Sequence, residues 1–180
     1  MFLDEEFRPT PEDERRHYDL HENDPADMGY RRFLSRLFVP MNERLPTGSE
    51  GLDFGSGPGP TLSVMFTKAG HQVRIYDPFY SPDETVFESR YDFITASEVV
   101  EHLHSPGQEL KRLWSLLRPG GRLGIMTKRV RDRAAFRTWH YRQDPTHVSF
   151  FSLDTFAWLA EQWRGELIVP GDDVVLIQRT

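Results

Sequence analysis

A run of glycine and proline between a predicted strand and a predicted helix restricts the fold more than any other feature. The run is Gly55-Ser56-Gly57-Pro58-Gly59-Pro60, and it separates a strand at 51–54, which contains the acidic Asp53, from a helix that begins near Pro60. Glycine allows positive φ angles and close contact between backbone and ligand, and a helix N-terminus offers free N–H groups. Pro60 stands where the dinucleotide fingerprint G-x-G-x-x-G needs its third glycine, and the lysine of the phosphate-binding G-x-x-x-x-G-K-[ST] loop is missing. The spacing G-x-G-x-G therefore predicts a ligand site that departs from both motifs.

Predicted strands alternate with predicted helices along the rest of the chain. The strands are expected at 51–54, 72–76, 92–96 and 123–127, with two short ones near 167–169 and 174–178. The helices are expected at 29–44 with an end near Pro40, after Pro60, after Ser105-Pro106 with a break at Pro119-Gly120-Gly121, and after Ser152. This order predicts an α/β fold: a Rossmann-like, doubly wound, mainly parallel sheet with a C-terminal antiparallel hairpin. Ligands bind at the carboxyl ends of the strands in such a sheet.

The composition excludes several classes of protein. The 180 residues contain no cysteine, which removes disulfides, thiolate metal sites and a cysteine nucleophile. The formal net charge is -6, which argues against nucleic acid as a partner because phosphate binding relies on clustered Lys and Arg. An acidic N-terminus and the absence of a long apolar run predict a cytoplasmic protein without membrane insertion. The protein is expected to be a monomer or a homodimer.

The first 28 residues form an acidic extension before a single predicted domain at 29–180. Residues 1–27 carry ten acidic side chains and three basic ones, so residues 1–14 are expected to be a solvated tail. Tyr18, His21 and Asn23 add aromatic and hydrogen-bonding groups, and they are expected to dock onto the domain.

Four motifs, in order, resemble those of the class I S-adenosylmethionine-dependent methyltransferases. They are L-D-F-G-S-G-P-G at 52–59, Y-D-P at 76–78, Y-D-F-I-T-A-S-E-V-V-E-H-L at 91–103 and L-R-P-G-G-R-L at 117–123. The sequence is most similar to the small-molecule branch, which includes ubiquinone-biosynthesis-type O-methyltransferases. Only 14 residues, 78–91, stand where the family has a helix and a further strand, so the third strand is expected to be short or missing.

The resemblance implies S-adenosylmethionine as the cofactor and a set of residues that bind it. Asp53 would lie near the methionine ammonium, Asp77 would accept from the ribose hydroxyls, and Phe79 would pack against the adenine. The full set implied is Asp53, Gly55, Ser56, Gly57, Gly59, Asp77, Pro78, Phe79, Ser97, Glu98 and Val99. The acid on the adenine side stays open among Asp83, Glu84 and Glu88.

The acceptor side is predicted from carboxylates and imidazoles that follow the third predicted strand. Glu98, Glu101 and His102 share one face if 98–102 form a helical turn, and His147 follows in a later loop. This pattern resembles the E-x-x-E-H plus distant His of metal-dependent O-methyltransferases, which implies a divalent cation on Glu98, Glu101, His102 and His147. Without a cation, His102 or His147 would be the general base. Tyr141 belongs to an aromatic segment that is expected to form a lid with the N-terminal extension.

These observations predict methyl transfer to a small-molecule acceptor, at oxygen. A non-catalytic module that binds S-adenosylmethionine is one alternative, and an NAD-dependent oxidoreductase, disfavoured by Pro60, is another. Five basic residues at 128–137 either attract an anionic substrate or form a solvated face.

Overall fold

The sheet at the centre of the computed structural model is built from six strands within the described residues, 1–20 and 23–180. The strands are β1 (Glu50–Phe54), β2 (Gln72–Tyr76), β3 (Tyr91–Ser97), β4 (Leu117–Met126), β5 (Gly165–Ile168) and β6 (Val174–Arg179). Their order is β2-β1-β3-β4-β6-β5. The first four strands are parallel, and β6 is antiparallel to both β4 and β5. The prediction of a mainly parallel sheet with a C-terminal antiparallel hairpin is confirmed.

Helices cover both faces of the sheet. The helices of the described chain are α1 (Pro11–Tyr18), α2 (Met28–Asn42), α3 (Thr61–Lys68), α4 (Pro106–Ser115), α5 (Arg133–Thr138) and α6 (Leu153–Gln162), and those that pack on the sheet are α2, α3, α4 and α6. One apolar core joins α2 and α3 to Phe93 and Leu176, and the other joins α4 and α6 to Ile94 and Ile177. Neighbouring strand residues thus point to opposite cores, as a doubly wound sheet requires. None of the helices described has the length and apolar character needed to cross a bilayer.

The third strand is missing, as the length of the 78–91 segment predicts. An isolated bridge joins Asp77 to Ser81, and a short 3₁₀ helix follows at Glu84–Glu88. No strand lies between β2 and β3 in the described part of the chain. The strand β2 therefore forms an edge of the sheet.

Helix α2 ends at Asn42, two residues beyond Pro40, so the predicted end near Pro40 is confirmed, and Pro40 itself lies inside the helix. A proline inside a helix costs about 3 kcal/mol. Leu37 and Met41 on either side of it are fully buried and lie against Gly124 of β4. Full burial of such side chains contributes about 1.5–3 kcal/mol each. Packing against the sheet therefore offsets the proline.

The fourth strand begins earlier than predicted, at Leu117, and includes Pro119-Gly120-Gly121. Leu117 pairs with Tyr91 and Arg122 pairs with Phe93, so the register shifts between these two pairs. The extra residues form a bulge, where a proline without an N–H group and a glycine with positive φ are tolerated.

The N-terminal residues 1–14 are largely exposed, as expected, but main-chain hydrogen bonds tie them to the domain. The N–H of Leu3 donates to Val148 O, and the N–H of Phe150 donates to Met1 O, both at 2.8 Å. Thr10 caps α1 by accepting from the N–H of Asp13. Main-chain pairing with the 148–150 segment therefore fixes a segment whose composition alone would not fold. The expectation for His21 lies outside the described residues.

Candidate functional site

A cavity of about 700 Å³ opens at the carboxyl ends of β1, β2 and β3. The glycine loop 55–58 forms one wall, and the segment 140–147 forms another. Glu14, Tyr18 and Asn23 of the N-terminal extension contribute to its lining. The cavity lies where an open α/β sheet binds its ligands.

The glycine loop fits its surroundings only without side chains at two positions. Gly55 has a φ of 73°, and a Cβ there would lie 2.4 Å from Val99 Cγ2. A Cβ at Gly59 would lie 1.8 Å from the carbonyl oxygen of Asn23. The N–H groups of Gly55 and Ser56 both donate to Tyr76 O, at 2.8 and 3.1 Å. The loop is thus held between the end of β2 and the N-terminal extension.

Asp77 fixes the loop to the turn after β2. Its Oδ2 accepts from the N–H of Gly57 at 2.9 Å, and its Oδ1 accepts from Phe79 and Tyr80 at 2.9 and 3.1 Å. The carboxylate is only 7% exposed but borders the cavity. A carboxylate oxygen has two lone pairs, so Oδ2 keeps acceptor capacity for a ligand hydroxyl. The sequence pattern gives no indication of the hydrogen bond to Gly57.

Asp53 lies beneath the loop, because it is 3% exposed and is not among the described residues that line the cavity. The hydroxyl of Thr95 donates to its Oδ1 at 2.8 Å. Burial raises the pKa of Asp53 to about 6. The position of Asp53 beside the cofactor ammonium stays a prediction.

The segment 98–102 is not one helical turn. Glu98 has a φ of 53°, and the backbone of Val99 also lies outside the helical region. Only Val100–His102 form a 3₁₀ turn. Glu98 therefore does not share a helical face with Glu101 and His102, and the spacing argument for it was wrong. Its side chain nevertheless lines the cavity.

Tyr141 joins the two glutamates. Its hydroxyl donates a short hydrogen bond to Glu101 Oε1 and lies 3.3 Å from Glu98 Oε2. Glu101 is 0% exposed, and its Oε2 has no hydrogen-bond partner within the described chain. Burial, together with the charge of Glu101, raises the pKa of Glu98; burial also raises the pKa of Glu101. Burial and both carboxylates raise the pKa of the Tyr141 hydroxyl, which therefore stays protonated.

Glu101, His102 and His147 bring together three groups that could ligate a metal, with ligand atoms within 4.8 Å of one another. Nδ1 of His147 lies 2.6 Å from Tyr141 O, and Nδ1 of His102 lies 3.1 Å from Thr146 O. Because a carbonyl only accepts, Nδ1 of each ring carries a proton, and in a neutral ring Nε2 then carries the lone pair. Burial and the neighbouring His102 lower the pKa of His147 to about 4, so it is neutral at pH 7.

The predicted residues separate into those that border the cavity and those that do not. Those in its wall are Gly55, Ser56, Gly57, Asp77, Pro78, Phe79, Ser97, Glu98, Val99, His102, Tyr141 and His147. Asp53, Gly59 and Glu101 lie behind the wall, and Asp83, Glu84 and Glu88 are also outside it among the described residues. Asp83 instead pairs with Arg74 at 2.9 Å.

Several lining residues were missed by the sequence analysis, including Tyr30, Tyr76, Tyr80 and Arg112. Tyr30 belongs to the first turn of α2, and Arg112 lies over the ring of Phe87 at 3.3 Å. No motif contains these two residues, so only the packing of α2 and α4 identifies them.

Comparison with known proteins agrees with this geometry. A model of the methyltransferase domain family matches residues 22–163. The chain superimposes on the 1,6-didemethyltoxoflavin-N1-methyltransferase of Burkholderia thailandensis, solved with its substrate and S-adenosylhomocysteine, with a TM-score of 0.58, 18% identity, and coverage of 94% of this chain and 83% of that one.

Two further structures share the fold over a part of their length. The mitomycin 7-O-methyltransferase MmcR gives a TM-score of 0.56 at 14% identity, covering 84% of this chain and 54% of that one. An O-methyltransferase family protein of Burkholderia thailandensis gives 0.53 at 16% identity, covering 84% and 58%. A search of curated protein sequences finds no significant match.

The fold, the glycine loop and the cavity at the strand ends are those of a class I S-adenosylmethionine-dependent methyltransferase. The chain belongs to the methyltransferase domain family, whose model matches most of its length. Membership of this family excludes the alternative that the protein is an NAD-dependent oxidoreductase. The cavity residues fit S-adenosylmethionine, because Asp77 offers a carboxylate that can accept from ribose hydroxyls and the glycine loop lets the backbone approach a ligand.

Proposed function

We propose that the protein transfers a methyl group from S-adenosylmethionine to an oxygen atom of a small-molecule acceptor. The observation that carries this proposal is the group of Glu98, Tyr141, His102 and His147 in the wall of the cavity, beside the glycine loop. A hydroxyl acceptor must lose its proton during transfer, and carboxylate and imidazole groups accept protons. Neighbours of this fold include one named as a mitomycin 7-O-methyltransferase and one named as an N1-methyltransferase, so the acceptor atom needs its own test.

The cofactor would be held by the glycine loop and by the ends of β2 and β3. S-adenosylmethionine supplies an electrophilic methyl group on a sulfonium. In the proposal, Gly55 and Gly57 allow the backbone to contact it, Asp77 accepts from ribose hydroxyls, and Phe79 packs against the adenine. The exclusion of water and the alignment of the acceptor with the methyl carbon would supply most of the acceleration.

The N-terminal extension 1–28 would form part of a cover over this cavity, with 29–180 as the catalytic domain. Glu14 is 2.7 Å from His104 Nε2, and the hydroxyl of Tyr80 donates to Asp19 at 2.6 Å. The ring of Tyr18 meets His102 edge-on, with centroids 5.3 Å apart. The contacts with Tyr80 and His102 support a cover because both of these residues line the cavity.

A divalent cation on Glu101, His102 and His147 is the second part of the proposal. The two imidazoles are oriented through backbone carbonyls, as is usual for metal-ligating histidines, and the unpartnered Oε2 of Glu101 would supply an oxygen ligand. Glu98 lies outside this set. A bound cation would lower the pKa of an acceptor hydroxyl. Without a cation, Nε2 of His102 would accept the proton.

The acceptor atom is tested with S-adenosylmethionine labelled with ¹³C in the methyl group. The labelled cofactor is incubated with a low-molecular-mass metabolite extract, and the products are analysed by carbon NMR. The proposal expects the label in methoxy groups, whereas label on nitrogen or carbon would refute transfer to oxygen. Binding of S-adenosylhomocysteine with no labelled product from any extract would favour a non-catalytic binding module.

The cation is tested by calorimetric titration with Mn²⁺. We expect Mn²⁺ to bind the native protein and the control Glu161→Gln, whose side chain is exposed on α6, but not Glu101→Gln. Absence of Mn²⁺ binding, or methyl transfer unaffected by a chelator, would exclude the cation and leave the oxygen proposal standing.

A further inference from the structure

The charges of the chain are distributed unevenly around the cavity. The segment 128–142, from the end of β4 through α5, contains six basic residues and one acidic residue, a net charge of +5. The remainder of the chain therefore has a net charge of -11, since the total is -6. A cluster of one sign beside a cleft raises the local concentration of ligands of the other sign.

These basic groups are not neutralised by carboxylates of the described chain. None of the six lies within 4.0 Å of a carboxylate oxygen in residues 1–20 and 23–180. The carboxylate of Asp132, inside the segment, accepts from the N–H of Ala135 at the start of α5. The positive charge is therefore available to a ligand.

A second cavity, of about 230 Å³, lies within this segment. Arg129, Arg131, Trp139 and His140 are among the residues that line it. The guanidinium of Arg129 is fixed in place because its Nε donates to Asp172 O at 2.7 Å and its Nη2 donates to Gly171 O at 2.6 Å. Arg129 therefore places a fixed positive charge in the wall of this cavity, and guanidinium groups bind carboxylates and phosphates.

The two cavities meet at His140, which lines both. Lys128 Nζ lies 3.1 Å from His140 Nε2, so a further cation stands at the junction. Tyr141, the next residue, lines the main cavity and carries the hydroxyl that contacts both glutamates. An acceptor could therefore place one group at Tyr141 and another in the basic cavity.

We propose that the second cavity is an acceptor subsite that binds an anionic group, a carboxylate or a phosphate, at Arg129 and Arg131. This inference rests on the proposed function for its biological meaning, because it states the class of acceptor: a small molecule with a hydroxyl and a negatively charged group. Anion binding itself does not depend on which atom receives the methyl group.

The test measures anion binding to the protein saturated with S-adenosylhomocysteine. Inorganic phosphate and malonate are titrated separately and followed by NMR of the arginine side chains, so the two arms distinguish phosphate from carboxylate. Arg131→Gln removes a cavity arginine that is exposed, whereas Arg129→Gln also removes hydrogen bonds to the β5–β6 turn. The matched control is Arg137→Gln, which makes the same charge change on α5 outside the lining.

We expect Arg131→Gln to weaken the preferred anion by about tenfold, the loss expected for one charged hydrogen bond, and Arg137→Gln to leave it unchanged. Equal weakening in both variants, or no binding of either anion, would overturn the subsite. Equal loss of single-stranded RNA binding in both variants would instead indicate a general cationic surface. Methyl transfer to nitrogen together with intact anion binding would refute only the proposed function.

Discussion

Replacing Asp77 by Asn separates two roles for this carboxylate. In the structure without ligand, Asp77 accepts one hydrogen bond from Gly57 through Oδ2 and two from Phe79 and Tyr80 through Oδ1. Asparagine keeps one oxygen for two of these N–H groups but places an NH₂ group, which can only donate, against the third. The variant therefore loses the bond to Gly57 and weakens the others.

The magnitude follows from the kind of bond that is lost. A hydrogen bond to a charged group contributes about 1.5–3 kcal/mol. Gly57 is partly exposed, so water replaces some of this, and we expect the free energy of unfolding to fall by about 2 kcal/mol. For a chain of this size, that lowers the Tm by roughly 4–8 °C. Affinity for S-adenosylhomocysteine is expected to fall as well, because the loop is no longer fixed before binding.

The assay is urea denaturation of the protein without ligand, with calorimetric titration of S-adenosylhomocysteine alongside it. Asp172→Asn, an exposed position in the turn before β6, is the control for loss of a carboxylate. If Asp77→Asn weakened the ligand but left the free energy of unfolding unchanged, the carboxylate would serve the ligand alone. The assignment of Asp77 as the support of the glycine loop would then be refuted.

Three other changes test the site. Tyr141→Phe leaves the buried Glu101 carboxylate without its hydrogen-bond donor, so the free energy of unfolding, measured by urea titration, should fall by about 1–3 kcal/mol. The control Tyr80→Phe removes an exposed hydrogen bond to Asp19 and should lower the free energy of unfolding by less than about 1 kcal/mol. Gly59→Ala places a Cβ 1.8 Å from Asn23 O and should lower both the Tm and the affinity for S-adenosylhomocysteine. The control Gly107→Ala meets open space and should lower neither. Equal effects of the two variants would contradict the close contact between Gly59 and Asn23. Asp53 has a pKa raised to about 6, so the folded state holds a proton that the unfolded state releases between about pH 4 and 6, and stability falls as the pH rises through this window. Asp53→Asn should remove this dependence on pH and raise the free energy of unfolding at pH 7 by about 2–3 kcal/mol. If the variant and the native protein showed the same difference in stability between pH 4 and pH 7, the raised pKa of Asp53 would be refuted.

The sequence was sufficient for the fold because local signals agreed with one another. The β2 strand begins and ends where the pattern placed it, and Ser152 caps α6 through a reciprocal hydrogen-bond pair with Thr155. The shortness of 78–91 was enough to predict a missing strand. The wrong boundary, at Pro119–Gly121, lies where a bulge accommodates residues that local propensity excludes from a strand. Packing against the sheet likewise accommodates Pro40 inside α2.

The site was predicted less completely, because its geometry depends on contacts between distant segments. The sequence suggested Glu98, Glu101 and His102 as a helical set, but the positive φ of Glu98 breaks that spacing. The link from Tyr141 to the two glutamates spans 40 or more positions and has no periodic signature. The bond from Asp77 to Gly57 is hidden for the same reason: both residues belong to motifs, but neither motif specifies the other.

The edge position of β2 has a consequence for self-association. An edge strand exposes main-chain N–H and C=O groups that can pair with a strand of another molecule. Arg74 on β2 donates to Asp83, to Ser89 and twice to Thr85, at 2.6 to 3.3 Å, and so holds the 83–89 segment beside this edge. The same short segment that replaces the missing strand therefore places a charged side chain and a 3₁₀ helix where a second copy would otherwise add a strand. This segment therefore protects the edge of the sheet from pairing with a second copy.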